Sequence, residues 1–462
     1  MRLLLLWLLA ASPAFADSAL SVGFAEVDVT PDMAKGARPV YMAGFGANRR
    51  AVDAHDPIMV RATVMSDGKS KVAFACADVI GLFYPFVQEI RSELTGFQYV
   101  CVSASHNHEG PDTMGLWGPN ALKCGVDPEY MKKLKAGIVL AIRNADKALT
   151  PVTAKIGNLK APDLVEDNRL PVVKHDDLVV LKFEKPGEKK LAGILIQWNC
   201  HPELLGSKND RLSADHIWST VAELKKRHDC PVTYITGTVG GLMTNLGMTI
   251  KNAKGEKLED GTFEKTEAYG KMVAAAADTA LTAAVPVNLT PFEVRTREFV
   301  VPIANKLYQG AWKLGVFKRE AYLWTGDPLS KNPVVAKTLG ATLCIKTEVG
   351  YARLGELDIA IVPGEIYPEL VLDKVQNPAD AGADFPDAPI EPAIYPALKN
   401  KYRMLIGLGN DEIGYIIPKR QWDEEKPHCY GLKSAQYGEI NSLGRDTAPI
   451  VCRMFRELVE SR

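Results

Sequence analysis

The sequence predicts a mixed α/β (α+β) fold, with mixed β-sheets flanked by helices in a single large domain. Three observations carry this. Strand-like and helical runs alternate from Val22 to Leu458, and one segment reads strand, helix, strand, the order of a parallel-sheet unit. Hydrophobic residues make up 47% and charged residues 24% of the 462, the balance of a globular chain and not of a disordered or fibrous one. No Pro/Ser/Gly-rich linker and no internal repeat divides the sequence, so residues 17–462 read as one domain. A net charge of -1 leaves no basic excess to neutralise phosphates, which argues against nucleic acid as a partner.

Residues 1–16 read as a signal peptide: Arg2, an apolar run from Leu3 to Ala11, then Ala14-Phe15-Ala16 as the cleavage signal. Cleavage after Ala16 would export the protein to the periplasm or medium. Asp17, not a cysteine, would follow, so no lipid anchor is indicated. No later run approaches the ~20 apolar residues of a transmembrane helix.

Val22 to Thr30 alternates as a half-buried strand and stops at Pro31. Ile58–Met65 and Val72–Ala77 read as a hairpin turning at Ser66-Asp67-Gly68-Lys69. Phe83–Leu94 is helical and Gln98–Ser105 a buried strand. A long amphipathic helix, Pro128–Leu149, precedes strands at Val152–Leu159, Leu178–Phe183 and Leu191–Asn199. Ile217–His228 reads as a helix with His216 and His228 on its surface, Pro231–Thr236 as a strand and Gly270–Ala284 as an Ala-rich helix. Strands at Phe292–Ile303, Thr342–Val349 and Leu357–Val362 and a helix at Thr447–Leu458 complete the chain.

The chemistry gathers at strand ends. Gln98–Ser105 runs into His106-Asn107-His108-Glu109-Gly110-Pro111-Asp112. Residues two apart on a strand share a face, so both rings can enter one space, as zinc ligands or as a proton relay; a surface loop carrying two histidines is the alternative. Leu191–Asn199 ends in Cys200-His201-Pro202-Glu203, and His201 reaches the same space if the two strands are near neighbours. Leu357–Val362 ends in Pro363-Gly364-Glu365, an oxygen ligand that zinc accepts beside histidine. Arg169 reads either as a solvated charge or as a contact for an anionic or carbonyl group. Tyr415 and Tyr437 lie in Gly-punctuated polar segments. The eight cysteines form no C-x-x-C pair; export permits disulfides, and Cys124, Cys230, Cys429 and Cys452 occupy more polar settings that could pair, in a connectivity the sequence does not give.

In this order the motifs resemble the catalytic domain of neutral, non-lysosomal ceramidases, exported zinc amidases that cleave N-acylsphingosines. The resemblance runs through Asp28-Val29-Thr30-Pro31, Asp56-Pro57, Arg61, Ser105 to His108, Asn168-Arg169, His201-Pro202, Pro363-Gly364-Glu365 and Gly414-Tyr415. It implies that His106, His201, Glu365 and Tyr415 hold Zn2+. It also implies that His108 contacts substrate and carries a proton, and that Arg169 holds a polar substrate group or the oxyanion. Tyr437 best matches a second active-site tyrosine, with Tyr430 as competitor.

Three departures matter. Met243, in Gly240-Gly241-Leu242-Met243-Thr244-Asn245, stands where ceramidases carry a catalytic serine, and Thr244 replaces it only if the loop shifts. Glu109 stands where they place a small residue, offering negative charge near the metal and a general base. The chain ends without their C-terminal β-sandwich. The expected protein is an exported zinc-dependent hydrolase cleaving an amide, or ester, bond of an N-acyl compound other than ceramide itself. The alternatives are a catalytically lapsed zinc protein that binds lipid-like ligands and, third, a phosphate or sulfate ester hydrolase. A deep apolar slot beside His106 and His201 would favour a lipid amide, and a shallow polar cleft a soluble one.

Overall fold

The computed structural model describes residues 20–34, 38–188, 190–340 and 342–461; the proposed leader, residues 1–16, lies outside them. Three sheets share one plan. The first contains β1 (Ser21–Asp28), β2 (Met59–Ser66), β3 (Lys71–Ala77) and β4 (Tyr99–Ala104). The second contains β5 (Thr153–Lys160), β6 (Asp177–Glu184), β7 (Leu191–Trp198) and β8 (Val232–Thr236). The third contains β9 (Phe292–Ile303), β10 (Leu343–Leu354), β11 (Leu357–Ile361) and β12 (Tyr402–Ile406). In each, consecutive strands are neighbours; the first two pairings are antiparallel and the last is parallel. A parallel pair needs a crossover. Helix α1 (Tyr84–Ser92) supplies it between β3 and β4, and Pro85 in its first turn fits a helix start, where its missing N–H has no helical partner to lose.

Side-chain alternation sorts the apolar residues into layers. On β6, Val179, Leu181 and Phe183 join a central cluster to which all three sheets contribute. Leu178 and Val180 face the opposite way, among the residues that pack with α3 (His216–His228) and α4 (Phe263–Thr282). On β4, Tyr99 and Cys101 point inward, while Val100, Val102 and Ala104 point toward α2 (Pro128–Lys147). Fully burying each such side chain is worth about 1.5–3 kcal/mol, which makes the register of each strand expensive to shift.

The strand ends are stitched where the sheets meet. Ser103 bridges Gly409, Thr236 Oγ1 donates to the Ser105 carbonyl at 2.9 Å, and Gly407 N–H donates to the Thr236 carbonyl at 3.0 Å. Gly407 is required there, since a Cβ would lie 2.1 Å from the Gly237 carbonyl oxygen.

Several expectations change. The strands carrying His106 and His201 are not neighbours in one sheet: β4 and β7 belong to different sheets that face each other. All eight cysteines are free, and seven are buried, Cys230, Cys429 and Cys452 among them, with Cys124 half-buried. His216 is buried and not on the surface; its ring stands edge-on to Tyr269 of α4 at 4.9 Å. Helix α5 (Lys306–Lys313) and β12 were not anticipated.

Candidate functional site

One site residue comes from each sheet. His106 follows β4, His201 follows β7, and Glu365 follows β11 after a Pro-Gly turn. His106 has φ +65°, a left-handed conformation, so the chain leaves the strand direction there and its ring Nδ1 donates to the Ile80 carbonyl at 2.8 Å. His201 Nδ1 donates to the Met243 carbonyl at 2.9 Å. A carbonyl only accepts, so in the neutral rings both Nε2 atoms carry lone pairs. Both lie 3.1 Å from the same Glu365 oxygen, Oε2.

Three acceptors aimed at one another repel unless positive charge stands between them. Donor atoms about 2.05 Å from a tetrahedral zinc are about 3.3 Å apart, close to the separation found here. The donor set therefore fits a divalent cation. The site draws positive charge: burial alone lowers the His201 pKa, but Glu203 and Glu365 outweigh it and raise it to about 9, so that without a cation the ring itself holds a proton toward Glu365. Burial likewise raises Glu365, and the two histidines overcome it and lower its carboxyl. The ligand nitrogens of His106, His108 and His201 all lie within 4.8 Å of one another and are buried, a group that could hold a metal.

His108 differs from the other two. Its ring nitrogens are buried without a hydrogen-bond partner, and its Nδ1 lies 3.4 Å from Glu203 Oε2. Burial, reinforced by the adjacent His106 and His201, holds its pKa well below the usual value, so it is neutral. Gly44 packs directly against this ring: at φ +100°, a Cβ there would lie 2.4 Å from His108 Cγ. Phe45 meets it edge-on at 5.1 Å.

Tyr415 lies beside Glu365 in a two-residue parallel ladder, and the two tyrosine rings of Tyr415 and Tyr437 stand 5.9 Å apart. Tyr437 is 51% exposed, and its hydroxyl pairs with the Asn441 amide. Its competitor Tyr430 turns away to Gln376.

Two cavities meet at these residues, sharing Gly44, Phe45, His108, Tyr415 and Tyr437. The first, about 280 Å³, is largely apolar, walled by Phe83, Trp117, Tyr308, Trp312 and Phe317, with His106, Glu365 and Glu412 among its polar lining. The second is lined by Asn168, His201, Glu203 and Thr244.

Three residues singled out in the sequence have other partners in the structure. Glu109 is wholly buried and lines neither cavity; its Oε2 accepts from Arg49 at 2.6 Å and from Asn209 at 2.8 Å. Its carboxyl pairs with Arg49 behind His108 and does not face His106, His201 and Glu365. Arg169 is 2% exposed, with its guanidinium forked onto Glu439 at 2.7 and 2.9 Å and donating to the Tyr437 and Gln421 carbonyls. Those bonds leave it holding the Tyr437 segment rather than a substrate. Thr244 donates its hydroxyl to Glu203 Oε1, which occupies it as a donor.

Sequence reasoning missed Glu203, Arg49 and Glu412. Glu203 stood in the quoted His201 motif, and its position two residues past a candidate ligand was the available signal. Glu412 lines the apolar cavity, accepts from Gly414 N–H at 2.7 Å through Oε1, and keeps Oε2 buried without a partner.

The three-sheet fold of this chain is similar to that of solved neutral ceramidases. A structure described as a ceramidase complexed with C2 superposes with a TM-score of 0.70 at 15% identity, covering 95% of this chain and 74% of that one. The neutral ceramidase from Pseudomonas aeruginosa gives a TM-score of 0.68, also at 15% identity and with the same coverage. No protein-family model matches the sequence, and a search of curated proteins finds no match.

Proposed function

We propose that this protein is an exported, zinc-dependent hydrolase that cleaves the amide bond of an N-acyl compound with an apolar acyl chain. The observation that carries this is the convergence of the His106, His201 and Glu365 donor atoms where a largely apolar cavity, lined by His106 and Glu365, meets a second one, lined by His201. The ceramidase fold supports amide chemistry, and the leader-like residues 1–16 support export.

Zn2+ held by His106, His201, Glu365 and Tyr415 would supply Lewis acidity and a water acidified toward neutral pH. The chain's own residues do the rest. The apolar walls take the acyl chain and exclude water from His106 and Glu365. His108, neutral and open to both cavities, accepts a proton at one ring nitrogen and returns it to the leaving amine. Glu203, 3.4 Å from its Nδ1, stabilises the charged ring that forms, and Thr244 orients Glu203. Tyr437 covers the junction of the cavities, where its hydroxyl can donate to a developing oxyanion. Arg169 acts through the Tyr437 carbonyl as a positioning residue.

The test combines elemental analysis of the purified protein with turnover of N-acyl amides. Stoichiometric zinc is expected, with activity lost on chelation and restored by zinc, and with His106→Ala lowering both metal content and kcat/KM by at least about 100-fold. A zinc-free protein whose His106→Ala variant is as active as the parent would sink the reading.

A further inference from the structure

Helix α5 has no fully buried residue. Its inner side is occupied: Tyr308 and Trp312 line the apolar cavity, and Tyr308 stands edge-on to Phe317 at 5.1 Å. Its flank is not. Leu307 is 62% exposed and Leu314, just past the last turn, 57%; seven residues apart, they fall on one side of the helix. Lys306 and Lys313, also seven apart, line the outward side, and Lys318 follows. All three lysines are exposed, and among the described residues none of them forms an ion pair. No acid lies between Asn305 and Arg319.

The apolar strip continues onto the next segment. Asn305 Nδ2 donates to the Ile440 carbonyl at 2.8 Å, which sets Leu307 beside a loop whose Ile440 is 54% exposed and whose Tyr437 stands over the junction of both cavities. Exposed leucines and isoleucine flanked by unpaired lysines, with an aromatic at the border, have the composition of a helix lying in a lipid–water interface. A second copy of the chain fits poorly. A two-fold contact through this patch would set the lysines of one protomer near those of the other.

We propose that α5 and the Tyr437–Ile440 loop form a docking surface for an anionic phospholipid bilayer, seating the apolar cavity against the lipid. The inference rests on the hydrolase reading for its purpose. Its physical basis, the apolar strip and unpaired lysines, does not depend on turnover.

The test is sedimentation of the whole protein with vesicles of phosphatidylcholine, with and without phosphatidylglycerol. Binding to the mixed vesicles is expected, weakening as salt screens the lysines. Lys306→Glu/Lys313→Glu should lower it at least about tenfold on anionic vesicles. Leu307→Asp/Leu314→Asp should do so on either composition. Both double variants should keep the parent's melting temperature and its turnover of a short, water-soluble N-acyl amide, while turnover of a long-chain amide embedded in the vesicles falls in step with binding. A parent that stays in the supernatant, or variants that sediment as the parent does, overturns the proposal. So does a dimer in solution that Leu307→Asp/Leu314→Asp dissociates, which would assign the strip to a second copy. Absence of turnover in every form would sink the hydrolase reading and leave the sedimentation result to decide the surface.

Discussion

Arg49 holds two loops together behind the site. Its Nη1 donates to the Ala43 carbonyl at 2.9 Å and the His108 carbonyl at 3.1 Å, its Nη2 pairs with Glu109, and its guanidinium lies 4.9 Å from the centre of the Phe45 ring. Both partners are nearly dry, with side-chain exposures of 10% and 0%. Burial pushes the Glu109 carboxyl up to about 8, with Arg49 opposing it. Removing one member of such a pair strands the other, so Arg49→Met should destabilise the fold by about 3–5 kcal/mol in urea unfolding. Glu109→Gln should cost less and keep kcat/KM within a few-fold, since the carboxylate reaches neither cavity. A 100-fold loss of activity at unchanged stability would return Glu109 to the chemistry. At this scale the sequence exposed His106, His201 and Glu365 because each stands just past a strand, Glu365 after a Pro-Gly break, and His108 because it lies two residues beyond His106. It hid the pairing of Glu109 with Arg49, 60 residues away, since no local pattern encodes a contact between two loops.

Most strands and helices were legible, and those that were not share a cause. β12 is a five-residue run, Tyr402-Arg403-Met404-Leu405-Ile406, with two polar positions at its start; its pairing with β11 completes it. Helix α5 has only eight residues, a run shorter than the window in which helical periodicity stands out in sequence. The short helix α6 (Pro368–Leu372) carries a test of its own. Glu369 accepts from Gln421 at 2.8 Å through Oε1, its Oε2 is buried without a partner, and burial raises its pKa to about 7, with Asp167 adding to the rise and Arg169 opposing it. Because the folded pKa lies above the ordinary 4.5 of a glutamate, the folded state holds this proton more tightly than the unfolded chain. Stability is therefore greatest below about pH 4.5, falls as pH rises through about 7, and is level above, a loss on the order of 3 kcal/mol from this group alone. Glu369→Gln supplies the neutral form permanently. The difference in unfolding free energy between variant and parent should grow in the variant's favour from pH 5 to pH 8; a difference independent of pH would refute the assignment.

At the scale of the whole molecule, what the sequence concealed was the assembly of three sheets of one plan around a shared core. Their common order of two antiparallel pairings and one parallel is a repeat of topology, and the expectation of no internal repeat holds for the amino acids alone. Nothing in a strand's alternation names the sheet it will face, which is why the sequence left open whether β4 and β7 lie near each other. The arrangement has a thermodynamic consequence. His106, His201 and Glu365 are brought together only while all three sheets are docked, so a cation bound among them binds the folded state and not the separated sheets. Free metal at 1,000 times its dissociation constant would then add about 4 kcal/mol to stability. Excess chelator should lower the melting temperature by several degrees, and added zinc should restore it. In His106→Ala the melting temperature should be lower and insensitive to both. Ile359→Ala, in the central cluster and away from the ligands, should lower stability by about 2–5 kcal/mol yet keep the full response to chelator, because it loosens the core the sheets share and leaves the donor atoms in place. If chelator leaves the parent's melting temperature unchanged while removing stoichiometric zinc, the metal does not tie the sheets together and the linkage fails.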